Sequence, residues 1–175
     1  MNTSPASKVL AQRLKATPEM HARYALSELD FGLRGMLHLF PRILHQQPEN
    51  PFTEVLHAHR SQMTGLRTAL QEFAQRHGLK PASSLCEELD MLLNELRGKQ
   101  VKVKYGRSLP TAIIPPLRKL WNVLLQRWTL LLETSRKFLD QRSVATVEAL
   151  FEEARRMETA LIDASVAQGG KTALS

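Results

Sequence analysis

The sequence predicts a mainly α-helical fold that contains one short β-strand. Through most of the chain, apolar residues recur every three or four positions, which is the period of an amphipathic helix. Over residues 100–105, QVKVKY, the spacing changes to strict alternation, which is typical of a half-buried strand. Positive charge is concentrated around that strand, so we expect this segment to differ in role from the helices.

The composition is that of an ordinary globular domain with its own core. The chain has 175 residues, of which 43% are hydrophobic and 23% charged. Its apolar runs are too short to span a bilayer, and the first residues lack the apolar core of a secretory signal. The single cysteine, Cys86, excludes an intrachain disulfide. We therefore expect a cytoplasmic protein without membrane association.

The first half of the chain predicts three helices. A short helix is expected over residues 6–16. A longer one begins with Thr17 as N-cap and Pro18 in the first turn, and is expected to close at Pro41. Another is expected over residues 53–77, with Gly78 as its stop. The apolar stripes of the two longer helices consist of Ala22, Leu26, Leu29, Leu33, Met36 and Phe40, and of Leu56, Met63, Leu66, Leu70 and Phe73.

The second half predicts three more helices around the unusual segment. The first opens at PASS, residues 81–84, and is expected to end at Gly98. The next is led by Leu117 and is expected to reach Asp140, and the last begins with Ser143 as its cap. We divide the chain into an N-terminal helical module, a strand-containing region for DNA binding and dimerisation, and a disordered tail, over residues 1–97, 98–167 and 168–175.

The charge of the chain is unevenly distributed. The net charge is +7, yet no acidic residue lies between Glu95 and Glu133. That interval holds eight basic residues, which leaves 16 basic against 17 acidic residues in the rest of the chain. A basic patch on a neutral body is the electrostatic footprint of a polyanion-binding protein. The alternative is a lysine-rich loop whose charge only keeps it solvated.

The lone strand needs a partner, because its backbone donors and acceptors are otherwise unpaired. A second copy of the same strand would supply one, giving a homodimer with a two-stranded ribbon. Such a ribbon fits the major groove of double-stranded DNA, where glutamine reads adenine and lysine reads guanine. The residues expected to face the DNA are Gln100, Lys102 and Lys104, and those expected to form the dimer are Val101, Val103 and Tyr105.

Further basic residues flank the ribbon on both sides. Their expected role is to hold phosphates, which positions a protein on DNA without reading sequence. The nucleic-acid-binding set is completed by Arg97, Lys99, Arg107, Arg118 and Lys119.

The stretch KQVKVKYGRSLP and the helix PLRKLWNVLLQRW behind it resemble the ribbon-helix-helix DNA-binding regulators of conjugative plasmids and integrative elements. The resemblance covers about a third of the chain and implies an obligate dimer that reads an operator and regulates transcription. Two features depart from that family. Three prolines, Pro110, Pro115 and Pro116, follow the strand, and about 95 residues of helix precede it. Those N-terminal helices would then serve to contact a protein partner or to support the dimer.

Other readings of the same residues remain open. The strand can belong to a small hairpin, or pair near Ile113 and Ile114, and merely connect helices. The segment can instead be a basic loop that binds RNA or single-stranded DNA, with Tyr105 and Trp121 as stacking candidates. The protein would then be a helical adaptor or a small structural subunit of a nucleoprotein complex, whose basic segment contacts RNA, single-stranded nucleic acid or an acidic protein partner. The helical spacing of Trp121 and Trp128 nevertheless favours places in the core.

The sequence offers no pattern that indicates catalysis. Glu54 and His57 form a single E-x-x-H pair, whereas di-iron bundles need two such motifs and further glutamates. Cys86 lies beside apolar helical positions and is expected to be a small core residue. We therefore expect neither an enzyme nor a protein with a metal or another cofactor.

Overall fold

The computed structural model describes residues 17–45, 49, 52–81, 86–104 and 109–172. In this part of the chain every regular element is an α-helix. The helices are α1 (Pro18–Leu44), α2 (Phe52–Arg76), α3 (Glu87–Lys104), α4 (Leu109–Ser135) and α5 (Gln141–Thr172). The short helix expected over residues 6–16 lies outside the described residues.

Four of the helices form a closed bundle, and the fifth packs on its outside. Helix α1 contacts α2, α2 contacts α5, α5 contacts α4, and α4 returns to α1. Helix α3 lies against α1 and α4, on the side away from α2 and α5. Because α1 and α4 each contact three other helices, they form the centre of the fold.

The predicted start of α1 and the predicted end of α2 are confirmed. The hydroxyl of Thr17 accepts a hydrogen bond from the backbone N–H of Met20 at 3.3 Å. After α2, Gly78 adopts a φ of 63°. The N–H of Leu79 then donates to the carbonyl oxygen of Ala74 at 2.9 Å, which closes the helix in a Schellman motif.

Proline misled the prediction of two helix boundaries. Helix α1 continues through Pro41 to Leu44, and α4 begins at Leu109 and contains Pro115 and Pro116. Each of these prolines removes a helical hydrogen bond. The lost bonds are offset by burial, since Ile43 behind the first proline and Leu117 behind the pair are fully buried.

The start of the last helix was predicted three residues too late. The carboxylate of Asp140 accepts hydrogen bonds from the backbone N–H of Ser143 at 2.9 Å and from its hydroxyl at 2.8 Å. Asp140 is therefore the N-cap, and Ser143 lies inside the first turn. These bonds from Ser143 lower the pKa of the Asp140 carboxyl below its ordinary value. Helix α4 correspondingly ends at Ser135 instead of reaching Asp140.

The prediction of a β-strand over residues 100–105 is wrong. Residues 100–104 continue α3 as a helix, which passes through the expected stop at Gly98. A helix satisfies its backbone hydrogen bonds internally, so this segment needs no second strand. Position 103 also continues the four- and three-residue spacing of the buried Leu89, Leu93 and Leu96. The intersubunit ribbon and the ribbon-helix-helix core are thereby overturned.

The helices also cross the limits that the sequence suggested for domains. The predicted boundary between residues 97 and 98 lies inside α3, and α5 extends to Thr172. Residues 173–175 lie outside the described part of the chain.

The core contains one buried polar pair among apolar side chains. Trp121 and Trp128 are both fully buried, which confirms their predicted place in the core. The indole N–H of Trp121 donates to Nε2 of His59 at 3.0 Å, and His59 is only 3% exposed. Burial lowers the pKa of His59 to about 4, so the imidazole is neutral at pH 7 and accepts this bond.

We predict that acid destabilises the fold through His59. Its pKa is about 4 when folded and about 6.5 when unfolded, so between these values only the unfolded chain takes up the proton. The free energy of unfolding should fall by about 3 kcal/mol from this group as the pH drops through that window. Urea unfolding of the parent and of His59→Gln, measured from pH 7 to pH 4, isolates the effect. The variant should lose about 3 kcal/mol less than the parent, and an equal loss in both would refute the assignment.

Candidate nucleic-acid interface

Arg127 fixes the relative position of three helices. Its Nε contacts the carboxylate of Glu28 on α1, and its terminal nitrogen donates to Glu88 on α3 at 3.3 Å. The Arg127 and Glu28 side chains are only 23% and 16% exposed. Burial acts to lower the pKa of Arg127, but Glu28 and the nearby Cys86 thiol outweigh it and raise the pKa. Arg127 is therefore charged and links α4 to α1 and α3.

Two glycines of α1 let the neighbouring helices approach closely. A Cβ added at Gly32 would lie 2.6 Å from the Leu124 side chain of α4. One added at Gly35 would lie 2.4 Å from the Leu93 side chain of α3. As the numbering rises along α1, the facing positions rise along α3 and fall along α4. Helix α3 is thus parallel to α1 and antiparallel to α4.

This arrangement brings three basic half-helices to one end of the bundle. They are the C-terminal halves of α1 and α3 and the N-terminal half of α4, which we call the basic end. A bond between Lys119 of α4 and Glu95 of α3, at 3.0 Å, joins two of them. The acidic first turn of α3, with Glu87, Glu88 and Asp90, lies level with Glu28 near the middle of α1, away from the basic end.

Four of the predicted binding residues lie on the surface of the basic end. Arg97, Arg118 and Lys119 are exposed, and Lys99 is half-buried. Arg97 donates to the neutral side chain of Asn94 at 2.6 Å, so its charge is not neutralised. Lys119 is the exception, because Glu95 pairs with it. Arg97, Lys99 and Arg118 form no ion pair with any residue that the structure describes.

The remaining predicted residues divide into two groups. Gln100, Val101, Lys102, Val103 and Lys104 belong to the last turns of α3, so they are on a helix and not on a ribbon. Tyr105 and Arg107 lie outside the described residues.

The basic end also contains a row of residues that sequence reasoning missed. On α1 and at its C-cap, four exposed basic or imidazole side chains follow one another at helical spacing, so they share one face. Neither arginine of the row forms an ion pair in the described part of the chain. No Asp or Glu occurs between Asp30 and Glu49, which is the signal that would have revealed the row. Its members are Arg34, His38, Arg42 and His45.

Acidic residues near the same end lie on the other side of the bundle. Glu54 belongs to the first turn of α2, and Glu158 and Asp163 belong to the C-terminal half of α5. Neither α2 nor α5 packs against α3. On these halves of α1, α3 and α4, Glu95 is the one described carboxylate, so their surface is positive. Glu49, in the connection from α1 to α2, is a further exposed carboxylate near this end.

Other parts of the described chain are weaker candidates for a functional site. Cys86 is 8% exposed beside Arg127, which confirms its place in the core. No three His, Cys, Asp or Glu side chains among the described residues come together as a metal site would require. A groove of about 430 Å³ lies between α1 and α2 and has an apolar floor. Its carboxylate, Asp30, already accepts bonds from Arg67 and Gln71.

Comparison with known proteins identifies no relative of this chain. The chain matches no protein-family model, no curated protein and no solved structure. Among the described helices, none has an apolar stretch long enough to cross a membrane.

The close packing of α1 on α3 predicts opposite effects of two glycine substitutions. Gly35→Ala places a methyl group against Leu93 and should lower the free energy of unfolding by about 1 kcal/mol or more. Gly65→Ala, on α2, meets nothing within 4 Å and should raise it by about 1 kcal/mol through helix propensity. Chemical denaturation of both variants tests this. If both substitutions stabilise the protein equally, α3 does not approach α1 as described.

Proposed function

We propose that the protein binds nucleic acid through its basic end, without enzymatic activity. The observation that carries the proposal is that two separate acid-free stretches of sequence, residues 31–48 and 96–132, contribute to the same end of the bundle. Evenly mixed charges would place acids on that surface as well. A concentrated positive surface attracts the phosphate backbone and releases the counterions bound to it.

In this proposal, the side chains of the basic end contact the phosphate backbone of the nucleic acid and not its bases. Arginine and lysine side chains on rigid helices donate to phosphate oxygens and set the position of the protein on its target. Without the ribbon, the base-reading role predicted for Gln100, Lys102 and Lys104 loses the element on which it depended. The proposed function is therefore binding by charge and shape, in the manner of an architectural protein or a subunit of a nucleoprotein complex.

The proposal also separates binding from the predicted dimer. The homodimer was expected only because an unpaired strand needs a partner, and the helical α3 has no such need. The basic end is complete within one chain, since all three half-helices come from the same subunit. A single chain is therefore sufficient for the proposed binding.

Removing two arginines from the basic end tests the proposal. Arg42→Gln with Arg97→Gln takes one unpaired charge from each of α1 and α3. We expect affinity for fluorescently labelled DNA to fall about tenfold, and the slope of log K against log salt to shrink by about 1.8. Fluorescence anisotropy over a salt series measures both quantities.

A control variant with the same change in net charge accompanies this experiment. Arg76→Gln with Arg142→Gln removes two exposed arginines from the last turn of α2 and the first turn of α5, at the other end. Its affinity should stay within about twofold of the parent, because those charges lie beyond the screening length from the bound DNA. Equal weakening by the two variants would mean that total charge, and not the basic end, drives binding.

A further inference from the structure

We infer that the nucleic acid bound by the basic end is a duplex, held across a groove with contacts to both of its backbones. This inference rests on the proposed function and specifies its target. Three features of the surface support it: the two-dimensional spread of its charges, the burial of the aromatic side chains described there, and its rigidity.

The charges of the basic end extend in two directions. Along α1, the row from Arg34 to His45 covers about 16 Å at the rise of an α-helix. Across the surface, Arg97 of α3 is displaced from this row by a helix spacing of about 8–10 Å. A single strand presents one line of phosphates. A duplex presents two lines on either side of a groove about 12 Å wide, which suits a charged area of this size.

The aromatic side chains that the structure describes at the basic end are buried. Proteins that grip single strands stack the bases on exposed aromatic rings. At the basic end, Phe40 and Trp121 have no exposed surface, and the indole N–H of Trp121 is already bonded to His59. Among the described residues, every Phe, Tyr and Trp is buried or half-buried. The stacking role considered for Trp121 is therefore closed to it.

The spacing between the charged rows is fixed by packing. Leu93 of α3 lies directly over Gly35 of α1, and the bond from Lys119 to Glu95 links α3 to α4. A rigid array loses little entropy on binding, but only when its partner already has matching geometry. Duplex DNA is stiff over about 150 base pairs, whereas a single strand must be ordered to fit. The fixed spacing of the charged rows therefore favours a duplex over a single strand.

The test compares two DNAs that carry the same number of phosphates. One is a labelled duplex of about 20 base pairs, and the other is a thymidine single strand of about twice that length in nucleotides. At equal salt, we expect the duplex to bind about tenfold more tightly in anisotropy titrations. Because Trp121 and Trp128 are buried, we also expect neither DNA to quench the tryptophan fluorescence of the protein.

The outcomes separate this inference from the proposed function. Equal or tighter binding of the thymidine strand would overturn the preference for a duplex, yet leave nucleic-acid binding intact. Strong quenching by that strand would overturn it too, because it would place bases on the tryptophans. Absence of binding to either DNA at low salt would overturn the proposed function itself.

The Arg42→Gln, Arg97→Gln variant tests whether the duplex contacts both α1 and α3. If the duplex bridges the α1 row and α3, this variant should lose more affinity for the duplex than for the single strand. Arg76→Gln with Arg142→Gln should leave the ratio of the two affinities unchanged. An identical loss for both DNAs in the first variant would mean that the surface does not distinguish one backbone from two.

Discussion

The contacts of Arg127 with Glu28 and Glu88 determine how the charged halves of the helices are arranged. These contacts tie α1, α3 and α4 together at one level of the bundle. One to two turns further along, Gly32 and Gly35 admit Leu124 and Leu93, so the three helices stay close and cannot slide past one another. Removing one partner of a largely buried ion pair leaves the other charge buried and unpaired, which lowers the free energy of unfolding. The orientation of α3, and with it the basic end, depends on this set of contacts.

Helical periodicity alone predicted most of the fold. The apolar stripes of α1 and α2, the cap at Thr17 and the stop at Gly78 were all visible in the sequence, because each is set by local chemistry. The strand over residues 100–105 was a wrong interpretation of a short pattern: six alternating residues cannot show whether the preceding helix continues through them. Pro41 was taken as the end of a helix, and Pro115 and Pro116 were placed before the start of one, since the burial that offsets their lost hydrogen bonds is a tertiary effect.

The sequence predicted only part of the candidate site. The acid-free stretch after Glu95 pointed to Arg97, Lys99 and Arg118, of which the structure leaves Arg97 and Arg118 exposed and Lys99 half-buried. The row on α1 was missed because its members are separated by apolar residues and because half of them are histidines. Only the packing of α1 beside α3 shows that two distant segments form one positive surface. Conversely, Arg127 belongs to the basic segment by sequence but is held between carboxylates, so a count of charges overstates what is free to bind.

The most direct test of this account is to map the DNA contacts by NMR. Backbone amide and Cα shifts of the isotope-labelled protein would be followed during titration with a DNA duplex. The account predicts helical Cα shifts from Arg97 to Lys104, with DNA-induced changes confined to the second half of α1, the end of α3 and the start of α4. Extended-chain Cα shifts over residues 100–104, or changes centred on the acidic first turn of α3, would contradict it.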